Sequence, residues 1–314
     1  MLKNLLILCL SCVLAISLTG CHNKTSETQG GDNTGENTPT LQVVATSTML
    51  RDLAEQIGKE KATVTGIMAP GVDPHLYKPT AGDIEKVEGA QMVVYNGLHF
   101  EGQMVDVLEG LKEKIVVNAS AGLPKEDVLP FADDPIGDPH IWNSSKNWES
   151  AAEQVAKGYI DLDPENKEFY EQNLESYKQE LAELKTYIDE RVAEIPEESR
   201  VLVTAHDAFS YFARDYGFEV KGIQGISTES EASTKDISDL AEFIVSRHIK
   251  SIFSESSVPQ KNIDALKEAV EAKGQSIVIG GQLFSDSLGD EGTPEGTYIG
   301  MMKYNIDTVV NALK

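Results

Sequence analysis

Six histidines occur in 314 residues, and two of them repeat one setting. His75 stands in GVDPHLYKPT and His140 in GDPHIWNSS, each directly after Asp-Pro. A third, His206, closes the apolar run RVLVTAH, and Asp286 lies in the polar stretch GGQLFSDSLGD. Three neutral imidazoles and one carboxylate form a borderline-hard donor set that suits Zn²⁺, Mn²⁺ or Fe²⁺. Imidazole donates without adding charge, and the carboxylate offsets one of the two cationic charges. Pro74 and Pro139 fix φ just before a ligand and stiffen each loop, so the histidine is held before metal arrives. Asp73 and Asp138 are placed to accept a hydrogen bond from a backbone or ring nitrogen. Any one of these histidines alone reads as structural. The case rests on four positions, two in each half of the chain.

Short β-branched runs recur along the chain with helical stretches between them. They are residues 41–47, 62–68, 91–97 and 114–120 in the first half, and 200–206, 219–225, 250–256 and 275–281 in the second. They are continuous rather than alternating, which predicts strands buried on both faces. Helical periodicity over 49–58, 80–89, 208–216, 234–248 and 259–273 predicts strand–helix alternation and parallel α/β sheets. VVATSTMLRDLAEQIG and VLVTAHDAFSYFARDYG share one plan of strand, polar loop, helix and Gly. Two similar four-stranded lobes follow. Between them Tyr170, Leu174, Tyr177, Leu181, Leu184, Ile188 and Val192 fall at spacings of 3 and 4. Asp163-Pro164 starts this helix and Pro196 ends it. A rod of about 30 residues spans about 45 Å. It reads as a stiff strut joining the lobes, with a coiled coil as the alternative. On this scheme all four candidate ligands lie beyond the carboxyl ends of parallel strands, where open α/β sheets bind ligands. Two come from each lobe.

The ends of the chain say where it works. MLKNLLILCLSCVLAISLTGC has a Lys3 n-region, an apolar stretch and a small-residue exit, which predicts a secretory signal over 1–20. Leu18-Thr19-Gly20-Cys21 resembles a bacterial lipobox, which implies cleavage before Cys21 and lipid attachment there; an ordinary signal peptide is the alternative. Cys9 and Cys12 would leave with the signal, so no disulfide, thiolate metal site or cysteine nucleophile is expected in the mature chain. Residues 21–40 are polar and rich in Gly, Thr and Asn, the composition of a flexible tether. Two lobes, 41–160 and 197–314, are expected around a linking helix at 161–196. With 51 acidic and 27 basic residues the formal net charge is −24. No basic stripe is evident, which argues against a nucleic-acid partner.

DPHLYKPT, DPHIWNS, TAHDAFSYFARDYGFEVKGIQGISTESEAS and LFSDSLGDEGTPEGTYIGMMKYNIDTVVNAL closely resemble the TroA-like metal-binding lipoproteins of bacterial ABC importers. The resemblance runs over nearly all of Leu41 to Lys314. It implies two α/β lobes joined by a rigid helix, with one divalent metal at their interface, bound by His75, His140, His206 and Asp286. It implies a monomer, lipid-anchored through Cys21 at the extracytoplasmic face of the membrane. Its partners would be a membrane permease and a cytoplasmic ATPase. In this family the third ligand is often Glu in manganese members and His in zinc members; here it is His206, and members with this set of three His and one Asp are associated with both metals. Dedicated zinc members carry a His- and Asp-rich loop before the second ligand, whereas residues 125–137, KEDVLPFADDPIG, contain no histidine. That departure favours manganese, with zinc binding in vitro.

A secreted zinc-dependent hydrolase using the same cluster, with Glu255 as general base, is the alternative function. No HExxH occurs, and four protein ligands leave little room for substrate. An adhesin role for the exposed surface is a third option. His99 is a candidate ligand or surface contact, and His248 a contact to a helix C-terminus. Trp142 and Trp148 read equally as walls of the site or as core. Glu255 reads as hydrogen-bonded to neighbouring serines, with an acceptor behind the metal ligands as the alternative, and Glu229 and Glu231 read as loop residues.

Overall fold

A computed structural model describes residues 40–111, 114–131 and 136–314. The signal segment, the tether and Cys21 lie outside the described residues. Strands and helices alternate as β1 (Leu41–Ala45), α1 (Thr48–Gly58), β2 (Ala62–Gly66), α2 (Ala81–Gly89), β3 (Met92–Tyr95), α3 (Val105–Glu109) and β4 (Ile115–Asn118). Two long helices follow, α4 (Ser145–Leu162) and α5 (Lys167–Val192). The second half runs β5 (Val201–His206), α6 (Ser210–Tyr216), β6 (Glu219–Gln224), α7 (Thr234–Ser246), β7 (Ser251–Glu255), α8 (Lys261–Ala272), β8 (Val278–Leu283) and α9 (Tyr298–Leu313).

All eight expected strands form. The first lobe is one parallel sheet in the order β2-β1-β3-β4, with Val43 opposite both Val64 and Met92. In the second lobe the ladder is divided into two parallel pairs, β5-β6 and β7-β8, with β5 lying beside β7. At the cleft end the backbone N–H of His206 donates to the Glu255 side chain instead of a strand carbonyl. β8 starts at Val278, three residues later than the sequence suggests. Before it, the Gln275 side chain donates to the Ile249 carbonyl, and an irregularity in register falls at Ile252/Phe253.

Local chemistry fixes the helix starts. Thr80 and Ser233 form reciprocal capping boxes with Asp83 and Asp236, each satisfying two otherwise unpaired donors. Ser47 and Ser144 cap α1 and α4. The linking helix α5 is 26 residues long, preceded by one 3₁₀ turn over Pro164–Asn166, so it spans about 39 Å. Tyr170, Tyr177, Leu181, Leu184, Ile188 and Val192 form its buried stripe. That stripe packs against α1, α4 and α9. One continuous apolar cluster runs through it, from Val43, Leu53 and Trp148 to Leu202, Phe253, Leu283 and Met301. Two further clusters cover the outer faces of the sheets, around Val44 and Val93 in the first lobe and around Val203 and Ile252 in the second. Among the described residues no helix is long and apolar enough to cross a membrane.

Candidate metal centre

Each Asp-Pro-His segment builds the same turn. Asp73 Oδ1 accepts the backbone N–H of His75 at 3.0 Å, and Asp138 Oδ1 accepts that of His140 at 2.9 Å. The histidine two residues after the aspartate is thereby fixed to its own loop. Gly102 completes the seat of His75. It adopts φ +49°, and a Cβ there would lie 2.6 Å from the His75 carbonyl oxygen, so this close approach requires glycine. His206 is the last residue of β5, paired in register with Gln224. Asp286 sits in the loop after β8, and its neighbours tie that loop to the first lobe. Trp142 Nε1 donates to the Ser285 carbonyl at 2.7 Å, and Leu288 N–H donates to Thr48 Oγ1 at 2.8 Å.

The four side chains converge. One ligand atom from each of His75, His140, His206 and Asp286 lies within 4.8 Å of all the others. His140 Nε2 stands 3.4 Å from Asp286 Oδ1, His206 Nε2 3.1 Å and His75 Nε2 3.7 Å from Oδ2, and the His140 and His206 Nε2 atoms are 3.3 Å apart. Bonds of about 2.0–2.2 Å in a tetrahedral site separate donor atoms by about 3.3–3.6 Å. These four separations lie close to the edge lengths of a first coordination sphere. It is also dry: His75 is 5% exposed, Asp286 1%, and His140 and His206 not at all. His75 Nε2 and both Asp286 oxygens are buried without a hydrogen-bond partner. Polar atoms stranded in this way are costly unless something completes them.

The outer nitrogens are held by carboxylates. His140 Nδ1–H donates to Asp138 Oδ1 at 2.8 Å, and His206 Nδ1–H donates to Glu255 Oε2 at 2.5 Å. Each bond fixes the tautomer whose lone pair, on Nε2, faces the centre. Burial opposes charge on these rings, but Asp138 and Asp286 beside His140, and Asp286 and Glu255 beside His206, outweigh it and raise both pKa values. Burial lowers His75 well below its ordinary range, helped by the two other rings. Burial alone would raise Asp286, yet His206 and His140 hold it well below the usual carboxylate range. The site therefore presents an ionised carboxylate beside one neutral ring, His75, and two rings, His140 and His206, whose Nε2 protons a cation must displace as it binds.

Phe100 packs edge-on against His75, with centroids 5.5 Å apart, and Trp142 against His140 at 5.3 Å. Trp142 thus walls the site, whereas Trp148 stacks on Tyr298 and donates to the Tyr177 hydroxyl in the core. Glu255 reaches His206 rather than the serines beside it, because its carboxylate is buried where the His206 N–H groups are its donors. His99 is exposed and stands outside the cluster at φ +59°; His248, Glu229 and Glu231 are exposed and also outside it. Sequence reasoning did not find Phe100 or Thr228. Phe100 carried a weak signal as an apolar residue at a strand-to-helix turn; Thr228 carried none.

The profile "ZnuA: Zinc-uptake complex component A periplasmic" matches residues 43–312. The manganese-binding lipoprotein MntA of Bacillus subtilis is 43% identical over 95% of each chain. The zinc-binding protein TroA of Treponema pallidum is 46% identical, over 86% of this chain and 88% of its own. The solved structure of the periplasmic zinc-binding protein TroA superposes with a TM-score of 0.86 at 45% identity, covering 88% of this chain and 99% of that one. With the profile spanning nearly all the described fold, the chain belongs to the zinc-uptake complex component A family.

Proposed function

We propose that this protein captures one divalent first-row metal ion outside the cell and delivers it to the permease of an ABC importer. His75, His140 and His206 bind the ion through Nε2, and Asp286 through its carboxylate. The observation that carries this reading is the dry convergence of four donors, three of whose inward-facing atoms have no protein hydrogen bond. Both Asp286 oxygens face ring nitrogens, so the carboxylate can bind through one oxygen or two. One-oxygen binding gives the four-coordinate sphere zinc prefers; two-oxygen binding gives the higher coordination that manganese accepts. The cargo is accordingly manganese or zinc, and relatives above 40% identity carry names for each. Cys21 carries the lipid that holds the protein at the outer face of the membrane, a monomer on a polar tether. Hydrolysis fits poorly. Both Glu255 oxygens are engaged by His206 on the side of the ring away from the centre, so Glu255 is not aimed at a metal-bound water.

Competitive loading tests the reading. Purified protein is titrated with Mn²⁺ and Zn²⁺, bound metal is counted, and the measurement is repeated with Asp286→Ala. One ion per chain and a metal-dependent rise in melting temperature are expected for the wild type, both lost in the variant. Equal binding by the two proteins would sink the ligand assignment. Cellular accumulation of each metal in a strain lacking the protein identifies the cargo.

A further inference from the structure

The two Asp-Pro-His turns use their aspartates differently. Asp138 spends one oxygen on both the backbone and ring N–H of its own histidine. Asp73 divides its carboxylate: Oδ1 holds the His75 backbone, and Oδ2 accepts the Thr228 hydroxyl at 2.7 Å, from a loop of the other lobe. That loop is anchored in turn. Gln224 Nε2 donates to the carbonyls of Thr228 at 3.3 Å and Ser230 at 3.1 Å, and Gln224 is the register partner of His206. A hydrogen-bonded path therefore joins His75 to His206 without passing through the cation: His75, Asp73, Thr228, Gln224, β5. Thr228 is buried, and its neighbours Ser227 and Glu229 line a cleft of about 450 Å³ that reaches His75 between the lobes.

We propose that Thr228 and Asp73 form a strap that holds His75 against the second lobe and sets how fast the metal leaves. They are positioning residues, acting through His75 and touching no metal. Separation of the lobes on the cleft side must break this bond as His75 parts from His206. A hydroxyl on a half-buried carboxylate is a charge-assisted bond, strong enough to slow release by about tenfold. The inference rests on the metal-binding reading above and adds which protein contact governs release.

The test uses the full-length chain loaded with Co²⁺, whose visible absorption reports the coordination sphere. Dissociation is followed by stopped flow into excess chelator for wild type, Thr228→Val and Thr228→Ser. Valine keeps the shape and removes the donor; serine restores it. The expected result is an absorption spectrum common to all three proteins, release about tenfold faster from Thr228→Val, and near wild-type release from Thr228→Ser. Release from Thr228→Val within twofold of wild type overturns the strap. So does equal acceleration by serine and valine, which would mean that packing alone matters, or an altered spectrum in Thr228→Val, which would mean that the sphere itself moved. A wild type that takes up no Co²⁺ overturns the metal centre itself, a failure plainly distinct from the others.

Discussion

A histidine ligand is only as good as the atom behind it. Glu255 accepts both the backbone and ring N–H of His206, and this leaves the Nε2 lone pair facing Asp286 and His140. In Glu255→Gln an amide replaces one carboxylate oxygen. If the amide N–H meets Nδ1, the ring proton is driven to Nε2, where the metal should bind; if it meets the backbone N–H, two donors collide. Metal affinity is expected to fall about 10–100-fold with the far-UV spectrum unchanged, measured by competition with a chelator of known affinity. A loss under threefold would remove Glu255 from the positioning scheme. Gly102→Ala attacks His75 by another route. Its Cβ would sit 2.6 Å from a backbone oxygen at a φ that alanine resists, so a destabilisation of about 2–4 kcal/mol in denaturant melts is expected, with weakened metal binding. The four candidate ligands were legible in the sequence because each lies at or beyond the end of a recognisable strand. The Phe100 contact, Thr228 and the true partner of Glu255 were not. Their partners are distant in sequence, 155 residues in the case of Asp73 and Thr228, and residue type alone does not name them.

Elements announced themselves by contrast in their composition. The continuous Val- and Ile-rich strands and the Leu/Tyr stripe of α5 stood out. Helices α4 and α9 did not, though they supply much of the packing between lobes. Between Trp148 and Tyr159 the inner face of α4 is Ala151, Ala152, Val155, Ala156 and Gly158, small residues that give little periodic signal until the sheet they cover is known. Helix α9 dilutes its pattern with Gly300 and β-branched Thr308, Val309 and Val310. Buried charge at an element end was equally hidden. Glu101 follows the turn after β3, fully buried, and accepts from Thr46 Oγ1 and from the backbone N–H groups of Asn96 and Gly97. It thus clips the ends of β1 and β3 together. Asn96 extends the clip through Nδ2 to the Pro139 carbonyl, one residue before His140. Burial pushes Glu101 up to about 7, and its three donors only partly offset that. The folded state therefore binds this proton more tightly than the unfolded chain. Stability from this group is full below about pH 4.5, declines as pH rises toward 7, and levels off above it. The span amounts to about 3 kcal/mol. Comparing metal-free wild type with Glu101→Gln by urea melts isolates the effect, since the other titrations cancel in the difference. The stability of wild type relative to the variant should drop by about that amount between pH 5 and pH 8. A pH-independent difference would show that Glu101 titrates alike in both states.

At the scale of the molecule, two lobes with a cleft between them suggest two units that melt separately, but the packing argues otherwise. The largest apolar cluster takes Leu53 and Trp148 from the first lobe, Tyr177, Leu184 and Ile188 from the linking helix, and Leu202, Phe253 and Met301 from the second. Polar bonds reinforce it across the same seam. Asp52 Oδ2 accepts the Tyr298 N–H at 3.0 Å, the Tyr298 hydroxyl donates to the Trp142 carbonyl at 2.7 Å, and the Tyr211 hydroxyl donates to the Asp138 carbonyl at 2.7 Å. Unfolding either lobe alone would strip this shared core from the other, leaving large aromatic faces and buried polar groups in water. The expected result is one calorimetric transition for the metal-free protein, with the calorimetric and van't Hoff enthalpies equal. Metal at about a hundred times its dissociation constant should stabilise the folded state by about 2.7 kcal/mol. For a chain of this size that moves the transition up by about 5 °C as a single peak. The coupling is what makes the site sensitive to the whole fold: a cation bound between the lobes stabilises both at once. Two resolved peaks, with metal shifting just one of them, would show instead that the lobes are independent bodies and that the ligands of one lobe alone hold the ion.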